Sequence, residues 1–129
     1  MNRFAIGTCT TLAAAALALG AGTASAKGGD RFVRATGTCS PGVTAKLKAK
    51  HDDGMLEVEF EVDQNRNGVR WGWRLLRDGV VVRRGVARTH APSGSFSVER
   101  RIGNTAGVNR ITFRAVSSRG KTCRATLRV

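Results

Sequence analysis

Leu56-Glu57-Val58-Glu59-Phe60-Glu61-Val62-Asp63 alternates apolar and acidic residues without a break, and Val69-Arg70-Trp71-Gly72-Trp73-Arg74-Leu75 alternates again after a short polar loop. A period of two is what a strand with one buried and one wet face requires, because successive side chains leave it on opposite sides. Both tryptophans of the chain fall on one face of the second segment. That segment closes at Asp78-Gly79, a pair suited to the two-residue hairpin turn, whose central residues need positive φ. These two strands call for a β-sheet with a core. They specify no chemistry.

Upstream, Val43 to Lys50 places Ala45, Leu47 and Ala49 on one face and Thr44, Lys46, Lys48 and Lys50 on the other. The turn His51-Asp52-Asp53-Gly54 then leads into the acidic strand. A four-residue loop sets Lys48 opposite Glu57 and Lys46 opposite Glu59. A two-residue loop at Asp53-Gly54 sets Lys50 opposite Glu57, Lys48 opposite Glu59 and Lys46 opposite Glu61. Both registers keep Leu47 with Val58 and Phe60, so the facing of each residue is fixed while the register stays open. Before this pair, Phe32-Val33-Arg34-Ala35-Thr36 reads as a first strand running to Cys39 and the turn Ser40-Pro41-Gly42.

Downstream, Val80-Val81-Val82 opens a fifth strand. A plain two-residue turn pairs Leu75 with Val82 and Trp71 with Val86, but also sets Trp73 against Arg84. Either Arg84 lies over the indole as a cation–π pair, or a bulge shifts the register. Two consecutive arginines and Gly85 favour a bulge at Arg83-Arg84. Ser95 to Glu99 alternates as a sixth strand. Ile111 to Ala115 and Thr122 to Leu127 form a last hairpin around Ser118-Arg119-Gly120, with Gly120 at the left-handed position. That loop pairs Ala115 with Cys123, Phe113 with Ala125 and Ile111 with Leu127. About seven to eight short strands at regular spacing, with no helical period after Lys27, predict an all-β antiparallel sandwich of immunoglobulin-like type.

Residues 1–26 read as a secretory signal peptide: Arg3, an Ala/Leu-rich run from Thr11 to Gly22, and the small-x-small site Ala24-Ser25-Ala26. An uncleaved anchor is the other reading of that run. Cleavage leaves one domain, 27–129, and removes Cys9. The remaining Cys39 and Cys123 meet an oxidising compartment, where one disulfide between them is expected; two free thiols or an intermolecular bridge are the alternatives. Localisation is expected to be extracellular, with no later segment long enough to span a bilayer.

The chain carries 22 Lys+Arg against 9 Asp+Glu. Residues 27–78 hold 10 basic and 8 acidic residues (10 − 8 = +2), whereas residues 79–129 hold 11 basic and one acidic (11 − 1 = +10). The register of the last hairpin also sets Arg114 opposite Arg124 and Arg110 opposite Arg128, and like charges opposite one another are destabilising. Arg110, Arg114, Arg124 and Arg128 are therefore candidate anion-binding residues for an anionic polymer, a cell-envelope component or anionic lipid. Nucleic acid is disfavoured, because no aromatic residue interleaves the arginines as a stacking platform. The competing reading is a solvated, aggregation-resistant surface whose arginine excess reflects a GC-rich genome.

No enzyme is expected, and neither cofactor nor metal. His51-Asp52-Asp53 lacks a partner cluster, and His90 is the only other histidine. Glu57, Glu59 and Glu61 share a face but meet lysines in either register, which points to solvated ion pairs rather than acid/base work. Ser93, Ser95 and Ser97 near His90 lack a nucleophile elbow. Trp71 and Trp73 read as core.

The Ala24-Ser25-Ala26 signal, the Trp71-Gly72-Trp73 strand with its Asp78-Gly79 turn, Ser93-Gly94-Ser95-Phe96 and the late Cys123 together resemble the small secreted immunoglobulin-like single-domain proteins of actinobacteria. The resemblance implies a fold and export, and no activity. Unlike an antibody domain, which bridges its second and sixth strands, this chain would bridge its terminal ones. The expected function is a secreted, non-enzymatic binding module. A protein–protein module using loops at one end of the sandwich and a cationic antimicrobial-like protein are the alternatives.

Overall fold

The computed structural model describes residues 31–129, all of whose regular structure is β. The expected signal peptide and its cleavage site lie outside the described residues. Nine strands follow in order: β1 Val33–Thr36, β2 Thr38–Cys39, β3 Thr44–Asp52, β4 Met55–Asp63, β5 Arg70–Arg77, β6 Val80–Arg88, β7 Ser95–Gly103, β8 Arg110–Ser117 and β9 Thr122–Arg128. They form two antiparallel sheets, four-stranded in the order β1-β3-β4-β7 and five-stranded in the order β2-β9-β8-β5-β6.

The ninth strand arises because the expected first one is shared between the sheets. β1 pairs with β3, then the chain crosses at Gly37 and β2 pairs with β9. A Cβ at Gly37 would stand 2.9 Å from the Ala45 Cβ and 3.1 Å from the Arg124 carbonyl oxygen, so only glycine fits this crossing. Cys39 and Cys123 then lie directly opposite one another on β2 and β9 and are disulfide-bonded. The bond closes a loop of 84 residues.

The hairpins take the shortest turns open to them. Asp53 and Gly54 (φ 47° and 75°) and Asp78 and Gly79 (φ 50° and 84°) are both left-handed, the conformation this turn demands. The first fixes the two-residue register: Lys50 meets Glu57, Lys48 meets Glu59 and Lys46 meets Glu61. The last hairpin has Ala115, Phe113 and Ile111 opposite Cys123, Ala125 and Leu127, as its apolar pattern requires.

The β5–β6 hairpin differs from expectation in where it bulges. Leu76 meets Val81 but Leu75 meets Arg83, so the extra residue is Val82, just before the arginine pair. Beyond it, Trp73 faces Gly85 rather than Arg84, and Trp71 faces Ala87 rather than Val86. The physical reason is the indole. A Cβ at Gly85 would lie 2.6 Å from the Trp73 ring, so the ring lies over bare backbone. The cation over Trp73 is Arg100 of β7, with its guanidinium carbon 5.3 Å from a ring centroid, and not Arg84.

Between the sheets lies one apolar cluster. Phe60 stacks on Phe113 at 3.9 Å and meets Trp73 edge-on at 5.2 Å, while Phe96 approaches Trp71 at 6.2 Å. Both tryptophans are buried, and the Trp71 indole N–H donates to Gln64 Oε1 at 3.1 Å. Where β6 and β7 adjoin at the rim, Arg83 donates to the Arg101 carbonyl at 3.2 Å and Arg77 to the Gly103 carbonyl.

Candidate anion-binding face

Each of the four long strands in the five-stranded sheet carries two exposed arginines four residues apart: Arg70 and Arg74, Arg84 and Arg88, Arg110 and Arg114, Arg124 and Arg128. A spacing of four keeps both on one side of a strand, since alternate residues share a face. The inward positions between them carry the core residues, so all eight arginines point away from the sandwich.

Pairing brings them into rows. Arg84 meets Arg74, Arg74 meets Arg114, and Arg114 meets Arg124, which makes one continuous row across β6, β5, β8 and β9. Arg88 meets Arg70 at one end of the sheet, and Arg110 meets Arg128 at the other. Neighbouring strands lie about 4.8 Å apart, so the row spans roughly 14 Å; along a strand, the next arginine is about 13 Å away.

These charges have no counter-ion in the protein among the described residues. The ion pairs found there are Lys48–Glu59 at 3.2 Å, Lys50–Glu57 at 3.5 Å and Arg101–Asp52 at 3.6 Å, all on strands of the other sheet. Asp78, in the β5–β6 turn, accepts the Arg110 backbone N–H at 2.9 Å and forms no ion pair with these arginines. Arginine side chains that hydrogen-bond within the protein are Arg77, Arg83, Arg88, Arg100 and Arg101, none of them in the central row.

Beside the row lies a second line of residues in register: Val86, Gly72, Val116 and Thr122. Val86 and Val116 are 55% and 53% exposed. With Gly72, Trp73, Arg74, Arg84, Gly85 and Arg114 they line an open depression of about 500 Å³. No aromatic side chain stands on this face among the described residues, since Trp71, Trp73 and Phe113 all point inward.

The four-stranded sheet presents the opposite character. Lys46, Lys48 and Lys50 alternate with Glu57, Glu59 and Glu61 across the strands, and the Lys48 and Lys50 ammonium groups lie 4.7 and 4.8 Å from the Phe32 ring centroid. Glu99 on β7 falls opposite Glu59. A hydrogen bond to Glu57 and the negative charge of that residue raise the Glu99 carboxyl above its ordinary value, helped by Glu59 and opposed by Lys48.

The structure brings together all four arginines singled out from the sequence and adds four more. Arg70 and Arg74 had escaped because they belong to the charge-balanced half of the chain, and Arg84 because the bulge reverses its facing. The i, i+4 arginine spacing repeated in four strands was the signal that could have found them. The other candidate groups stay apart. His51 Nδ1 contacts Asn104 at 3.2 Å, Asp52 pairs with Arg101, and Ser93 Oγ bonds Ser95 Oγ at 2.6 Å. A depression of about 450 Å³ over β1, β3 and β4 is lined by charges of both signs, Arg34, Lys46 and Lys48 with Glu59 and Glu61, of which Lys48 and Glu59 pair with one another. No family model, curated protein or solved structure matches the chain.

Proposed function

We propose that the protein is an exported, non-enzymatic binding module that holds an anionic polymer, in the cell envelope or outside the cell, against the outer face of its five-stranded sheet. The observation that carries the reading is the row Arg84, Arg74, Arg114, Arg124, held in register with no carboxylate beside it. In-register like charges destabilise a sheet, and oxyanions bridging adjacent guanidinium groups reverse the sign of that interaction. Arginine rather than lysine suits this task, because its planar fork grips carboxylate, sulfate or phosphate through two parallel hydrogen bonds.

The Cys39–Cys123 disulfide supports export to an oxidising compartment. An immunoglobulin-like relationship is supported by the first strand, shared between the sheets, and by the terminal strand beside it. The β3–β4 hairpin within one sheet is a variation on that layout, which places the corresponding strands in different sheets.

The test is retention on an anionic matrix such as heparin, followed as a function of salt. Replacing Arg110, Arg114, Arg124 and Arg128 together by Gln is expected to remove most of the binding and flatten its salt dependence. Undiminished binding by a folded variant defeats the reading.

A further inference from the structure

Gly72 is the third residue of β5, a strand paired on both sides, and nothing in the fold requires a glycine there. Its φ lies outside the left-handed region, and a Cβ would meet only the Val116 carbonyl oxygen, at an ordinary 3.9 Å. Gly85, on the neighbouring strand opposite Trp73, has a structural reason in the Trp73 ring. Gly72 has none, although a glycine in a strand interior costs about 0.5–1 kcal/mol relative to alanine. A strand glycine marks a bulge, a tight bend or the close approach of another group; the register shift here lies at Leu75/Leu76 and the β5–β8 pairing runs unbroken through Gly72, which leaves close approach.

On that ground, and resting on the anion-binding reading above, we infer that the ligand is a linear acidic polysaccharide lying across the strands. Its carboxylate or sulfate groups follow the row Arg84, Arg74, Arg114, Arg124, and the C–H faces of its rings rest on Val86, Gly72 and Val116 in the adjacent row. The two rows lie two residues apart along the strands, about 7 Å, so charged edge and ring face are contacted side by side. A nucleic acid fits the depression poorly, because the one aromatic residue that lines it, Trp73, is 3% exposed with its ring turned to the core, so bases find no aromatic face to stack on. Crosswise orientation follows from spacing: the backbone positions that carry successive arginines are about 4.8 Å apart across the sheet but about 13 Å apart along it. The second distance exceeds the Debye length of about 8 Å at physiological salt, so arginines outside the row add little there.

The experiment measures binding of length-defined oligogalacturonates, of polyphosphate and of oligothymidylate matched in charge, at physiological salt. The proteins compared are the native chain, Gly72→Val, and the single variants Arg74→Gln, Arg114→Gln, Arg70→Gln and Arg128→Gln. Valine suits a central strand, and an unchanged melting temperature certifies the fold; Gly72→Thr serves as a second filling variant. The expected result is that oligogalacturonate binds tightest, that Gly72→Val weakens it roughly tenfold while polyphosphate changes little, and that Arg74→Gln and Arg114→Gln lose more than the two variants outside the row. Equal binding of all three polymers with no effect of filling Gly72, or equal losses at all four arginines, overturns the polysaccharide assignment and leaves a general anion face. Absence of binding to every polymer removes both.

Discussion

Arg114 sits between Arg74 on β5 and Arg124 on β9, so Arg114→Thr removes two in-register like-charge contacts at once. Two unit charges about 5 Å apart in water repel by roughly 0.8 kcal/mol, and salt at 0.15 M reduces this to about 0.4 kcal/mol. Long side chains splay and lower it further, while threonine adds a few tenths through its preference for strands. Stabilisation of about 0.5–1 kcal/mol is therefore expected at 0.15 M salt, or roughly 2–6 °C in the melting temperature for a domain of this size. Thermal unfolding followed by the near-ultraviolet signal of the buried Trp71 and Trp73 measures it. In 1 M salt the screening length falls to about 3 Å and most of the gain should disappear. With a saturating polyanion the order should reverse, because only the native protein keeps the full row. A variant no more stable than the native chain at about 0.15 M salt, or one whose gain survives high salt, refutes the claim that the row stores repulsion.

Gly85→Ala drives a methyl group into the Trp73 indole, 2.6 Å away, and should cost about 1–3 kcal/mol by overpacking, read by denaturant unfolding with a changed near-ultraviolet spectrum. Cys39→Ser together with Cys123→Ser opens the 84-residue loop and should lower stability by up to about 4–5 kcal/mol, as chain entropy sets the ceiling. Asn109→Ala strips a buried amide whose Oδ1 accepts from the Thr105 N–H and hydroxyl and whose Nδ2 donates to Asn104; a loss of about 1–3 kcal/mol and faster hydrogen exchange in the 104–108 loop are expected. Glu99→Gln should stabilise at neutral pH. The raised carboxyl favours the folded state when protonated, so its contribution is present at low pH and lost as pH rises through the folded value; the benefit of the amide should fade on acidification below the carboxylate range. A benefit independent of pH refutes the role of Glu57 and Glu59.

Facing was legible in the sequence wherever one side of a strand had to be apolar. Ala45, Leu47 and Ala49, or Val58, Phe60 and Val62, leave no choice of side, and a one-residue slip would turn every one of them to water. The last hairpin was legible in full, because Gly120 fixed the loop and three apolar pairs fixed the register. The β3–β4 register was not, since either turn length kept lysines opposite glutamates. A bulge in β6 was expected, but its place escaped for a related reason: Val81 and Val82 are equally apolar, so composition cannot say which is extra. What decided it was the bulk of Trp73, which needs Gly85 opposite. That single-residue shift also turned Arg84 outward and aligned it with Arg74 in place of Arg83. The β5–β8 pairing that completes the row joins segments some 40 residues apart, as in Arg74 and Arg114, and no local pattern announces it.

The contrast between the two outer faces bears on whether the arginines are merely solubilising. Codon bias can explain arginine in place of lysine, but it acts on the whole chain, and lysine supplies three of the cations on the four-stranded sheet at Lys46, Lys48 and Lys50. That face pairs its cations with Glu57, Glu59 and Glu61, which is how a sheet is kept soluble without storing repulsion. The same sequence, on the other face, places eight arginines at outward strand positions with no acid among those positions, and leaves the central glycine bare. A surface required only to resist aggregation has no need of that alignment, since isolated or mixed charges protect strands as well. Alignment across four strands matters to a ligand that is itself linear and charged, and the stability gained by Arg114→Thr would measure what the fold forgoes to keep it.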